Sequence, residues 1–260
     1  MKLLIKTLHL AGVLLVCSLW GVSAKVAACE QKNYIIGVQS IDYSPHYNFV
    51  EKGAPSFFSL FLQWLEKKTA CKFTVKALPI KRLNFDEHNI ISLDFIYPDN
   101  ATWHDKNEGK RFYSYPLVTA MTGMMVRPEE KNEELEHFKT LSTIRGFTPV
   151  QWLSLAPKYT IKFHETYNAL ASLKMVIYHR ADGADVEYNV ANYLLKKHHL
   201  EKLVLADKLP AWPTPFHISS AKHLNIINRI NQLIKKYPDE IQALKDKVSI
   251  KEVNLNSLKQ

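Results

Sequence analysis

The chain has 260 residues, a formal charge of +9, and 47% hydrophobic and 23% charged side chains, an ordinary globular composition. Its 34 basic residues are scattered among 25 acidic ones, with no basic arm and no aromatic–basic ladder, so nucleic-acid binding has no support. With no internal repeat or low-complexity stretch, the length suits one two-lobed domain or two small ones.

The first two dozen residues have the order of a targeting segment. Lys2 and Lys6 precede an apolar run from Leu8 to Trp20, and Val22-Ser23-Ala24 supplies the modest side chains a signal peptidase reads. Residues 1–24 are therefore expected to be a cleavable export signal, and the working protein to act outside the cytoplasm. The apolar run is shorter than the about 20 residues of a bilayer span, and no later segment is long and apolar enough to be one. Removing Lys2 and Lys6 leaves a charge of 9 − 2 = +7. Val26-Ala27-Ala28-Cys29 resembles a lipoprotein cleavage box, but Lys25 separates it from the apolar run that such a box abuts. With Cys17 gone in the signal, Cys29 and Cys71 remain, an even pair that reads as one disulfide in an oxidising compartment; the alternative is two separate thiols.

Tyr34 to Val38 is a short β-branched and aromatic run, expected as a buried strand. It enters a loop, Asp42-Tyr43-Ser44-Pro45-His46-Tyr47. Ser56 can cap a helix whose Phe57, Leu60, Phe61, Trp64 and Leu65 recur at helical spacing, with Lys67 and Lys68 in the last turn. Phe73 to Leu78 alternates as a second strand, so strand, helix and strand form a βαβ unit with parallel neighbours. Cys29 and Cys71 then lie at the same sheet edge.

Farther on, Ile90 to Tyr97 reads as a strand ending in the turn Pro98-Asp99-Asn100, and Leu117 to Val126 as one extended run. Glu129 to Glu136 suggests a surface helix, Phe147 to Trp152 a strand, Thr166 to Leu173 a short helix and Met175 to Tyr178 a strand. Tyr188 to Lys197 is helical, Leu203 to Ala206 a strand, and Pro210 to Pro215 too proline-rich for either. Two amphipathic helices close the chain, around Leu224–Lys236 and Asp239–Lys247. The alternation indicates an α/β fold.

This order resembles the bacterial extracellular solute-binding proteins of family 3, over nearly all of the chain after the signal. Ile36-Gly37-Val38 through Asp42-Tyr43-Ser44-Pro45 and Tyr47-Asn48-Phe49 is similar to the family's opening strand and loop. Pro79 with Arg82-Leu83, and Leu93-Asp94-Phe95-Ile96, resemble its next helix and strand. Phe112 to Leu117 followed by Gly123 to Arg127 is similar to its first crossover, and His179 to Leu194 to a strand and helix of its second lobe. The resemblance implies a two-lobed periplasmic-binding-protein fold of type II, hinged by two crossover strands. Lobe 1 would comprise 25–125 and 213–260, and lobe 2 126–212. It further implies a monomer that takes a small-molecule solute from the periplasm to an inner-membrane ABC permease or a sensor.

Amino-acid receptors of this family hold the ligand carboxylate with an arginine that falls here near Asp105 or Lys106. From Asn100 on, no arginine occurs before Arg111, and a carboxylate is best met by a bidentate guanidinium. Lys106 is the candidate substitute. The family's acid for the ligand ammonium falls on Glu187, one carbon longer than the usual aspartate. Tyr43, Tyr47, Trp103 and Trp152 sit on predicted loops at strand ends, where α/β crevices form, and Asp42 and Asn100 flank the same loops. Trp212, between prolines, is assigned to the return crossover. The expected ligand set is thus Asp42, Tyr43, Tyr47, Asn100, Trp103, Lys106, Trp152 and Glu187. No HExxH, GxSxG or paired CxxC occurs, so no catalytic, metal or cofactor residue is assigned. Dehydratases of cyclohexadienyl acids resemble these receptors, so an enzyme using Glu187 for proton transfer is the alternative.

Overall fold

The computed structural model of the protein describes residues 29, 33–51, 55–85, 92–104 and 109–252; the expected export signal and Lys106 lie outside them. In chain order, β1 (Asn33–Gln39) leads to a small hairpin of β2 (Asp42–Tyr43) and β3 (Tyr47–Asn48). Then come α1 (Phe57–Thr69), β4 (Lys72–Leu78), α2 (Ile80–Phe85), β5 (Phe95–Asp99), β6 (Phe112–Tyr113), β7 (Val118–Thr122) and β8 (Met124–Val126). The middle holds β9 (Thr140–Ile144), α3 (Val150–Leu153), α4 (Leu155–Tyr159), β10 (Lys162–Thr166), α5 (Ala169–Ile177), β11 (Gly183–Asp185), α6 (Tyr188–Lys197) and β12 (Val204–Leu205). β13 (Trp212–Ser220), α7 (Leu224–Lys236) and α8 (Pro238–Lys247) complete the described chain.

Two mixed sheets organise these elements. The first runs β4-β1-β5-β13-β6, with β7 also paired to β13; the second runs β10-β9-β11-β8-β12. The chain changes sheet at Gly123 and again between Leu205 and Trp212. The expected βαβ unit is present, with β1 and β4 parallel from Asn33 opposite Lys72 to Gln39 opposite Leu78. Cys29 and Cys71 are bonded, their Cα atoms 5.5 Å apart, which occupies the sulfur that a lipid thioether at Cys29 would need.

Helix α1 shows how local sequence sets the fold. Ser56 accepts from the Ser59 N–H while the Ser59 hydroxyl accepts from the Ser56 N–H, a capping box at its start. Ala70 ends it in the left-handed region at φ 58°. The buried face is Phe57, Phe58, Phe61, Leu62 and Leu65, whereas Leu60 and Trp64 flank it. Phe58 stacks on Tyr97 of β5 at 3.6 Å between ring centroids, fixing the helix against the sheet.

Several expected elements differ in the structure. Phe147 to Trp152 is not a strand: Pro149 opens the short helix α3, and the Trp152 N–H returns to its carbonyl at 2.8 Å. Met175 to Tyr178 is not a strand either, but the end of α5. Asn168 caps that helix by accepting from the Ala171 N–H, and Ala169, Leu173, Val176 and Ile177 share its buried face. A three-residue apolar run fits both periods, and the helix cap decides. Thr166 therefore ends β10 rather than starting a helix. Glu129 to Glu136 forms two 3-10 turns, Pro128–Glu130 and Leu135–His137, not a helix.

Leu117 to Val126 is split at Gly123, where a Cβ would meet the side chains of Leu205 and Ala211. The third strand starts at Phe95 and continues through Pro98 and Asp99, expected as a turn. Its pairing with β1 covers Phe95 to Tyr97, so the ladder ends just before the proline. Residues 212–215, thought too proline-rich, open the longest strand, β13. Pro213 and Pro215 face β7 alone, and a proline is tolerated where a strand lacks a second neighbour.

Candidate functional site

The cavity lies between the two sheets. Its walls come from β1 (Gln39), the hairpin (Tyr43, Tyr47), β5 (Ile96, Pro98, Asp99) and β13 (Thr214, Phe216) on one side. On the other are the β9–α3 loop (Phe147, Thr148), Gln151, Asp185 and Glu187. Thr122, in the first crossover, lines it as well. The enclosed space is small, about 80 Å³, and opens to solvent.

Three carboxylates reach this wall, and their surroundings differ. Glu187 caps α6 and is fully buried. Its Oε2 lies 2.8 Å from His46 Nε2 and accepts from the Val190 N–H at 2.9 Å. Its Oε1 accepts from Asn189 Nδ2 at 2.9 Å and the Met121 N–H at 3.2 Å. Burial alone would raise this carboxyl, but His46 and the hydrogen bonds from Val190 and Asn189 hold it below the usual range. His46 belongs to the hairpin loop, whose carbonyl accepts from the Phe58 N–H of α1. The pair therefore ties the first sheet's side to the second.

Asp99, also buried, is matched from behind. His104 Nε2 lies 2.5 Å from Oδ1, Arg111 Nε lies 3.3 Å from Oδ2, and the Ser219 hydroxyl donates to Oδ2. Burial again opposes the charge, and His104, Ser219 and Arg111 outweigh it, so the Asp99 carboxyl is lowered. Asp185 is the exception. It ends β11 at the cavity wall, half-buried, with the neutral Trp152 indole nearby and no ion-pair partner among the described residues. Burial pushes its carboxyl up to about 7.

The aromatic walls form two groups. Tyr43 stacks on Tyr47 at 5.3 Å and packs on Phe147 from the opposite side at 5.5 Å. Trp103 meets Phe216 edge-on at 5.9 Å. The Tyr47 hydroxyl donates to Gln39 Oε1, and burial keeps the Tyr43 and Tyr47 hydroxyls protonated far above neutral pH.

Of the expected ligand set, Tyr43, Tyr47, Trp103 and Glu187 come together around the cavity. Trp152 does not: it is fully buried and packs edge-on against Trp212, in the core of the second sheet. Helix α3, where a strand was expected, turns it inward and presents Gln151 to the cavity instead. Asn100 does not reach the cavity because its side chain is engaged elsewhere. It donates to the Pro215 carbonyl at 2.8 Å and accepts from the Thr102 N–H at 2.9 Å. Asp42 accepts from the Ser44 N–H and lies 3.4 Å from Lys197 Nζ, outside the cavity. Lys106 lies outside the described residues. The sequence reading missed Asp185. It sits two residues before Glu187 and lines the same cavity, ending the strand that runs over Gly183–Asp185. No group of three potential metal ligands occurs among the described residues.

No family model matches the chain, and no curated protein matches it significantly. Solved structures do. An arginine transport system periplasmic binding protein from Legionella pneumophila superposes with a TM-score of 0.66 at 15% identity, over 84% of this chain and 100% of that one. The fold is that of the periplasmic binding proteins. An ancestral amino acid-binding protein, a precursor of cyclohexadienyl dehydratase, aligns with a TM-score of 0.62 at 18% identity, over 84% and 95%. The VFT2 domain of BvgS from Bordetella pertussis aligns with a TM-score of 0.64 at 17% identity, over 84% and 94%. Such neighbours are mostly binding proteins, and at these identities they establish architecture alone.

Proposed function

We propose that the protein captures a small polar solute between its two lobes, in the periplasm, and presents it to a membrane partner. The observation that supports this best is the cavity itself. Both sheets contribute to it, it is walled by aromatic faces, and it carries a few polar groups that converge on its interior. Two chain crossings join the lobes, as a receptor that closes around its ligand requires. The partner is an ABC importer or a sensor, the first in keeping with the similar transport-system binding protein.

The bonds around Glu187 argue against the enzymatic alternative in the form that uses this residue. A carboxylate held ionised by His46 and three further donors is a poor proton donor at neutral pH. Native mass spectrometry of the protein purified from its host tests the binding reading, because a retained solute adds a discrete mass. Tryptophan fluorescence against amines, amino acids, sugars and peptides tests it again, with Trp103 at the cavity as reporter. A protein that carries no solute and responds to none of these classes would sink the proposal. Affinity capture from membranes, with and without solute, separates importer from sensor.

A further inference from the structure

Resting on the solute-capture reading, we infer that the solute is an organic amine without a carboxylate, whose ammonium group is held by Asp185 between the aromatic walls.

Charge at the cavity carries the inference. Three carboxylates line it, whereas no lysine, arginine or histidine does among the described lining residues. Two of the three are already matched from outside the cavity: Asp99 by His104 and Arg111, Glu187 by His46 and its hydrogen-bond donors. Asp185 has no cationic partner among the described residues, only the neutral Trp152 indole nearby, and it lines the cavity. A carboxylate half withdrawn from water in that position is costly unless a cation joins it. A solute carboxylate would meet like charge and no guanidinium or ammonium among these residues, and like charges in a water-poor cleft disfavour each other strongly. An ammonium fits both kinds of wall. It pairs with Asp185 and lies against the faces of Tyr43, Phe147, Trp103 or Phe216, as cations do on aromatic rings. The neutral groups Gln39, Thr122 and Gln151 remain for hydroxyl or amide functions of the solute.

Matched pairs that differ only by the carboxylate test this directly. Calorimetric titration at pH 8 would compare agmatine with arginine, putrescine with ornithine, and tyramine with tyrosine. In the pair that binds, the amine is expected to bind at least tenfold tighter than its amino acid. Asp185→Asn keeps the size of the side chain and an acceptor for the Trp152 indole. It should weaken amine binding tenfold or more while circular dichroism shows the fold retained. Amine affinity should also rise about tenfold from pH 6 to pH 8, as the Asp185 carboxyl loses its proton near pH 7. An amino acid binding as tightly as its amine, or an amine whose affinity survives Asp185→Asn, would overturn the inference. Binding of a sugar or peptide with no amine response would also overturn it, leaving solute capture intact. Silence of the protein to every class would instead remove the capture reading beneath it.

Discussion

Replacing Asp185 by asparagine should make the ligand-free protein more stable, and more so as the pH rises. The folded state raises the Asp185 carboxyl from 3.8 to about 7 because burial penalises the anion. A shift of about 3 units at 1.36 kcal/mol each amounts to about 4 kcal/mol. For a raised carboxyl, stability is fully present below about pH 4, where both states are protonated. It is lost as the pH climbs to about 7, and the loss is constant above that. An amide never ionises, so the variant escapes it. The stability gain from Asp185→Asn should therefore be near zero at pH 3.5 and approach about 4 kcal/mol at pH 8, less whatever is relieved by water entering the cavity. For a chain of this size that corresponds to a melting temperature higher by about 10 °C at pH 8. Urea denaturation of both proteins at the two pH values measures the difference. A variant no more stable than the parent at pH 8, or one whose advantage is the same at both pH values, would refute the reasoning.

Other perturbations report on other parts of the fold. Reducing the Cys29–Cys71 bond, or replacing both cysteines by serine, opens a loop with a sequence separation of 42 and should cost about 4 kcal/mol by denaturation. Glu187→Gln removes one partner of a buried pair and should destabilise by about 3–5 kcal/mol. Because this carboxyl is lowered in the folded state, its contribution is present above pH 4.5 and lost as pH falls. The variant should accordingly show a shallower acid loss than the parent. Gly146 lines the cavity at φ +90°, and Gly146→Ala should cost about 1–2 kcal/mol from backbone strain, read as a lower urea midpoint.

The first lobe was the more legible part of the sequence, for reasons visible in its residues. The β1 run, the Ser56 cap and the Phe73 strand each carry a local signal that agrees with the packing around them. Most of the second lobe's signals conflict. Met175-Val176-Ile177 has the composition of a strand, yet the cap at Asn168 and the spacing of the buried face make it helix. β10 alternates poorly, because only one of its residues packs against the buried cluster, Phe163. Expecting the strand at Met175–Tyr178 rather than at Gly183–Asp185 hid Asp185, which ends β11 at the cavity. Trp152 failed for a related reason: whether an aromatic residue near a strand end faces the cavity or the core depends on one turn of helix. The expectations at Tyr43, Tyr47 and Trp103 placed them at the cavity because the turn formers around them left the chain few other places to go.

The second crossover does more than return the chain. Trp212 to Phe216 of β13 pair antiparallel with Val118 to Thr122 of β7, and β13 then continues into the middle of the first sheet beside β5. Both chain crossings leave from this one ribbon, with Gly123 just past the end of β7 and Ala211 just before β13. A two-stranded ribbon bends easily across its flat face but resists stretching and sliding, because either motion breaks its hydrogen-bond ladder. The ladder between Thr122 and Trp212 thereby holds the two passing segments side by side where the chain goes over to the second sheet and where it returns. Thr122 is both the last residue of that ladder and part of the cavity lining, so the ribbon that joins the two sheets also forms wall of the site.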